Sequence, residues 1–313
     1  MRVASDRSQT GLTRLCPVCQ QAVSMWRPGP GGRPAAACPR CGALERHRLL
    51  ALLVRRLEPT VPAGGTVLDI APTRQFIEHL RMPGRRYVGM DVNPDADGRV
   101  VTAVGSLTDL PLRDGVVNLA IVSHVLEHIP DDRAAMSELA RALSPAGLAL
   151  VQVPWRDGPT DEDPAAPEAE RIRRFGQADH VRMYGSDFED RLKAAGLYVT
   201  RTSAAELLPD TEIEIFGLVP NEPAWILSRA ATGSPDHAAV LGRFANLAPL
   251  RLPDPAAAAI ATLLVEAEER ERRFRDLEER YRRLRRAPPV RFMVRIRKLI
   301  PLGEYDAGLD RRG

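Results

Sequence analysis

No run of about 18 consecutive apolar residues occurs in this sequence, so a membrane-spanning helix is not expected. The first eleven residues are polar and lack the apolar stretch of a secretory signal, which makes a cytoplasmic location the default expectation. Aromatic residues are scarce, at 5% against 44% hydrophobic residues overall, so the core of this 313-residue chain must be built mainly from Leu, Val, Ile and Ala. Lysine is almost missing, and arginine carries nearly all the positive charge, the mark of a GC-rich coding bias rather than of a function. The formal net charge is only +3, so bulk charge does not single the chain out as a nucleic-acid binder.

Cysteine is absent outside residues 16 to 41, and there it is patterned. Cys16-Pro-Val-Cys19 and Cys38-Pro-Arg-Cys41-Gly42 are separated by eighteen residues. Two thiolates two residues apart can grip one ion from a tight turn, and a second such turn completes a tetrahedral site. Cys16, Cys19, Cys38 and Cys41 are therefore expected to hold a structural zinc in a small ribbon or knuckle rather than to form disulfides. His47 is a spare donor in a helical run. The module either braces the N-terminal helix or recognises a substrate, and a segment this short needs a metal to stay folded in either case.

Three regions follow from the pattern: a zinc-binding module and linker helix over 12–58, an α/β domain over 62–230, and a helical tail over 253–313. LERHRLLALLVRRL at 44–57 is amphipathic, with Leu49, Leu50, Leu53 and Leu57 on one face. Candidate strands at 66–71, 86–92, 100–105, 118–124, 148–154, 198–203 and 224–229 alternate with helices at 74–81, 131–143 and 186–195. That alternation predicts an α/β fold with a mainly parallel seven-stranded sheet. The long polar connection 155–184 has the length of a lid or insertion. In the tail, Ile260, Leu263, Ala267, Phe274, Leu277, Tyr281 and Leu284 recur at coiled-coil spacing, which predicts a homodimer seam over 255–286.

Asp69 closes the first strand and Asp91 the second, where dinucleotide-type sheets place an acid on a ribose hydroxyl pair. No G-x-G-x-x-G follows Ile70; the loop reads Ala71-Pro72-Thr73-Arg74, which argues against a nicotinamide or flavin dinucleotide. VLDIA at 67–71, YVGMD at 87–91, TDLPLRDGVVNLAIVSHVLEHIPDD at 108–132 and ELARALSPAGLALVQVP at 138–154 together resemble class I S-adenosylmethionine-dependent methyltransferases of the type 11 group. LERHR at 44–48, DIAP at 69–72 and GQADHVRMYGSDF at 176–188 are similar to a subset with an N-terminal CPxC…CPxCG zinc module. The resemblance implies a Rossmann-like sheet with helices on both faces and S-adenosylmethionine as cofactor. It places Asp69 near the methionine end and Asp91, followed by Val92, on the ribose. Ser106 and Leu107, with Asp109 nearby, fall at the adenine edge, and Ser123 and His124 on the cofactor floor. Ala71 and Thr73 stand where the group usually carries a glycine-rich loop.

Methyl transfer asks the protein to align an acceptor, exclude water and remove a proton. His180 is the candidate general base, with Asp179 to orient it and Arg182 and Tyr184 to bind the acceptor; anchoring of the lid is the competing role for these residues. His124, Glu127 and His128 do not form the H-E-x-x-H arrangement and are read as cofactor lining and helix capping. Asp161, Glu162 and Asp163 form an acidic knot, either solvated or facing a cationic acceptor. From Arg282 to Lys298 eight basic residues alternate with apolar ones without an acid, a pattern suited to an anionic membrane face, and so to a peripheral place at the inner side of a membrane. The expected acceptor is a sugar, glycan or nucleotide-linked small molecule, methylated on oxygen or nitrogen. An RNA methyltransferase using the zinc module for recognition, and a non-catalytic adaptor built on that module and the coiled coil, are the competing readings.

Overall fold

The computed structural model describes residues 14–95, 99–229 and 274–277. The chain divides into two units, Met1–Ala259 and Ile260–Gly313. The expected seam over 255–286 and the basic stretch Arg282–Lys298 lie outside the described residues, apart from 274–277, which are helical. No helix among the described residues is long and apolar enough to cross a membrane.

In chain order the first unit contains β1 (Arg14–Leu15), β2 (Ala22–Val23), α1 (Glu45–Leu57), β3 (Thr66–Ile70), α2 (Ile77–Leu80), β4 (Arg86–Asp91), β5 (Ala103–Val104), β6 (Val117–Ser123), α3 (Asp132–Ala142) and β7 (Leu143–Gln152). Then come β8 (Asp161–Glu162), α4 (Glu168–Phe175), β9 (Arg182–Met183), α5 (Phe188–Ala194), β10 (Tyr198–Thr202), α6 (Ala204–Leu207), α7 (Asp210–Phe216) and β11 (Ala224–Ser228). The seven-stranded sheet has the order β10-β11-β7-β6-β3-β4-β5. β3, β4, β5, β6 and β7 are parallel where they pair, and β11 runs antiparallel to both β7 and β10. The chain reverses direction across the sheet between β3 and β6, which is where such sheets open a crevice at their carboxyl ends.

All five residues of β3 are buried, as expected of a central parallel strand covered on both faces. Side chains alternate between two cores. Val67, Leu119, Leu148 and Ile226 join the core that contains α1, α7 and the cysteine loops. Leu68, Ala120, Ala149 and Leu227 join the one that contains α3 and α5. The first core runs unbroken from Cys16, Val18 and Trp26 through α1 to the sheet.

The amphipathic pattern of α1 understates its burial. Leu52 and Val54 are buried along with Leu49, Leu50, Leu53 and Leu57, because the helix meets the sheet on one side and the cysteine loops on the other. Each of these leucines contributes about 1.5–3 kcal/mol relative to exposure. The helix expected over 74–81 shortens to α2, because the chain after β3 first makes a left-handed turn at Ala71 (φ 56°) and a bridge between Thr73 and Arg99.

The connection 155–184 is structured. β8 and β9 pair antiparallel, and α4 lies between them. The residues of its acidic knot are partly exposed and each is paired with arginine: Arg174 pairs with Asp161 and Asp163, Arg156 with Asp161, and Arg182 and Arg191 with Glu162.

Candidate active site and metal centre

The cysteine loops are two tight turns. In the first, the Gln20 amide donates to the Cys16 carbonyl with Gln20 at φ 58°. In the second, the Gly42 amide donates to the Cys38 carbonyl, and Gly42 takes the positive φ (76°) that favours glycine there. The Sγ atoms of Cys16 and Cys41, and of Cys19 and Cys38, are 3.8 Å apart, and all four lie within 4.8 Å of one another. A tetrahedron with metal–sulfur bonds of about 2.3 Å has edges of about 3.8 Å, whereas a disulfide would need about 2.05 Å. The set therefore fits a closed zinc site of four protein ligands. Hydrogen bonding among the four thiols pushes Cys38 and Cys41 down and Cys16 and Cys19 up, so they titrate as one group.

Arg48 locks this module to the rest of the unit. Its side chain is fully buried, donates to the carbonyls of Ala36, Ala43, Phe216 and Gly217, and stacks 4.0 Å from the Trp26 ring centroid. Arg55 adds a bond to the Pro17 carbonyl.

A cavity of about 760 Å³ opens at the carboxyl ends of β3, β4 and β6, within the range of small-molecule sites. Ala71, Asp91, Val92, Ser106, Leu107 and His124 line it. Ala71 and His124 (φ 55°) are two of three described non-glycine residues with positive φ. Backbone strain of this kind, about 1–3 kcal/mol per residue, concentrates at functional sites. The Asp91 carboxylate accepts from the Asn93 amide through Oδ1, and its Oδ2 lies 3.7 Å from the Arg99 guanidinium. Arg99 in turn donates to the Ala71 carbonyl and lines the cavity.

The other cofactor candidates face elsewhere. Asp69 is buried on the α1 side, where it accepts from the Tyr87 hydroxyl at 3.0 Å; burial pushes its carboxyl up to about 7. Ser123 donates to Gln152 Oε1, Thr73 bridges Arg99, and Asp109 is exposed beside Ser106.

His180, Arg182 and Tyr184 are buried and do not line the cavity. Arg182 donates to the carbonyls of Leu126, Ile129 and Pro130 and to Glu162. Tyr184 donates to Asp132 Oδ2 at 2.9 Å. Both therefore anchor the returning strand β9 to the segment after β6. His180 Nδ1 donates to the Phe175 carbonyl at 2.9 Å, and burial lowers its pKa below the ordinary 6.5.

Arg99 lines the cavity and was not singled out from the sequence; His128, read there as cofactor lining or helix capping, and Asp179, read as orienting His180, line it too. His128 does not begin a long helix; Leu126–His128 forms a single 3-10 turn, and α3 starts at Asp132. Glu127 is fully buried and accepts from His124 Nδ1 at 3.1 Å through Oε1. The H-x-x-E-H spacing was visible, but the approach of His180 to it depends on the tertiary fold.

Comparison with known proteins identifies the family of the chain. The profile of a methyltransferase domain family matches residues 43–202, more than half of the chain. An uncharacterized methyltransferase of Mycobacterium sp. strain JLS is 34% identical over 122 residues, 35% of this chain and 48% of that protein. A probable S-adenosylmethionine-dependent methyltransferase of Mycolicibacterium smegmatis is 34% identical over 79 residues, 23% of this chain and 31% of that protein. The chain thus spans about half the length, or less, of these relatives. Among solved structures, a SAM dependent methyltransferase from Archaeoglobus fulgidus covers 58% of this chain and 93% of its own, at 17% identity and a TM-score of 0.39. The chain belongs to the methyltransferase domain family, and its seven-stranded half is a class I S-adenosylmethionine-dependent methyltransferase domain.

Proposed function

We propose that the cavity binds S-adenosylmethionine and that the chain transfers a methyl group to an oxygen or nitrogen of a small-molecule or glycan acceptor. The observation that carries this reading is the cavity at the β3–β6 crossover with the Asp91 carboxylate at the end of β4. S-adenosylmethionine supplies a methyl group on a sulfonium that is already activated for displacement. Asp91 would accept from the ribose hydroxyls, and Ile70, Leu107 and Ile129 offer apolar wall to the rest of the cofactor. Arg99, tied to the Ala71 carbonyl, places a positive charge at the same end.

The remaining tasks are to align the acceptor and to receive its proton. The base role expected of His180 moves to His124, which lines the cavity. Glu127 holds the His124 Nδ1 proton, which leaves Nε2 as the proton-accepting nitrogen, the orienting logic of a His–carboxylate pair. The four cysteines hold a structural zinc in this reading. Contact of Arg282–Lys298 with an anionic membrane, and self-association through 255–286, belong to the same proposal on sequence pattern alone.

Calorimetric titration with S-adenosylmethionine tests it. The wild-type chain binds, Asp91→Ala weakens binding about ten- to a hundredfold, equivalent to about 1.4–2.8 kcal/mol, and His124→Ala leaves affinity within about twofold. No binding at millimolar cofactor overturns the reading.

A further inference from the structure

We propose that Glu127, His128 and His180 form a second metal site, distinct from the four cysteines, which holds a divalent transition cation at the cavity wall and through it an acceptor bearing oxygen donors. The ligand atoms of these three residues lie within 4.8 Å of one another. Two of them are buried without a hydrogen-bond partner among the described residues, Glu127 Oε2 and His180 Nε2. Glu127 is fully buried, and His180 is 3% exposed.

The outer partners of the group decide which atoms are left over. His180 Nδ1 must carry the proton, because the Phe175 carbonyl it meets at 2.9 Å can only accept. That leaves Nε2 with a lone pair. Glu127 Oε1 is occupied by His124, which leaves Oε2. His128 Nδ1 lies 3.1 Å from Asp179 Oδ2, so a carboxylate stands beside that nitrogen and favours Nε2 as the lone-pair atom. Histidines that bind metals are held this way, with the second ring nitrogen against a carboxylate or carbonyl. Lone pairs that converge in a buried place need a donor or a cation between them, and the described residues supply no donor to Glu127 Oε2 or His180 Nε2.

The frame is rigid. The Val181 amide donates to the Glu127 carbonyl at 2.9 Å, and Arg182 clasps the carbonyls of Leu126, Ile129 and Pro130, so both ligand-bearing segments are pinned together. The His128 and His180 rings meet nearly perpendicular, with centroids 4.7 Å apart. Two imidazoles and one carboxylate, with further positions open, suit a divalent transition cation. His128, Asp179 and His124 line the cavity, so the open positions face the space where the acceptor must lie. An acceptor with a hydroxyl and a neighbouring oxygen would complete the shell from that side. Only this last consequence rests on the methyl-transfer reading; the binding of the ion does not.

Titration of the zinc-loaded full-length chain with Co2+ provides the test. One further equivalent is expected, with d–d absorption of a nitrogen and oxygen shell and no thiolate charge-transfer band. Glu127→Gln, which keeps the shape of the side chain, and His128→Ala should each weaken that binding at least about tenfold while the cysteine-bound zinc stays. A thermal melt of Glu127→Gln close to wild type shows that the variant is folded. Failure of the wild-type chain to take up Co2+ at about millimolar concentration, or unchanged binding in folded Glu127→Gln, overturns the site. S-adenosylmethionine binding by the same preparation, measured separately, shows whether the methyl-transfer reading stands or falls independently of it.

Discussion

The four cysteines and the Glu127–His128–His180 group are both clusters of potential metal ligands, and they are built in opposite ways. The cysteines come from two tight turns within 26 residues, and all four positions around an ion are filled by the chain itself. Such a closed site stabilises and does little else. The second group draws one ligand from a segment more than fifty residues away, sits at a cavity wall, and leaves positions open. The cysteine loops share the core that runs through α1 to the sheet, and in the proposed reading a zinc ion closes them. The second group holds its ligands in place with Arg182 and the β9 return.

The largest effect that separates the two is expected from Cys38→Ser. Zinc should fall from one per chain toward none and the cysteine loops should unfold from α1, since structural zinc sites of this kind carry on the order of 10 kcal/mol of folding free energy. Elemental analysis beside a thermal melt reads both, and full zinc content in the variant would remove the contrast. Arg182→Met comes next. It leaves the carbonyls of Leu126, Ile129 and Pro130 and the Glu162 carboxylate without their shared donor, at a cost of about 3–5 kcal/mol, with zinc retained. A denaturant midpoint equal to wild type would show that the second frame is not held as described.

Asp69 offers a comparable but pH-dependent effect, since it is a buried acid outside both clusters. Burial raises its carboxyl from 3.8 to about 7, against the opposing Tyr87 hydrogen bond. Between those values the folded chain keeps a proton that the unfolded chain has released. Stability should therefore fall as pH rises from about 4 to about 7, by on the order of 4 kcal/mol, and stay low above that window. Melts from pH 5 to 8 should show this slope in wild type and lose it in Asp69→Asn. An unchanged slope would place its origin elsewhere.

Much of the domain was legible before the fold was known. The seven strands fall within a few residues of their expected places, because short apolar runs bounded by breaker residues are local properties. Ala71, Asp91, Val92, Ser106, Leu107 and His124 share one cavity because strand ends were correctly placed. Arg182 and Tyr184 could not be assigned in the same way. A polar residue in a long loop looks exposed until its partners, here backbone carbonyls some fifty residues away, are known. The helix α4 within that loop was missed for a related reason: its outward residues are charged and only Phe175 is buried.

By itself the sequence determined the cysteine cluster, since a C-x2-C turn brings its thiolates together with no help from the rest of the chain. It also determined the alternation of strands and helices, since burial on both faces of a parallel sheet demands continuous apolar runs. The tertiary structure alone decided which polar residues meet. It turned Asp69 away from the cavity, buried Arg182 as a clasp, and brought His180 to Glu127 and His128. The physical reason is that side-chain meetings across fifty residues are set by how the sheet closes and which face each strand presents, and no local spacing encodes that.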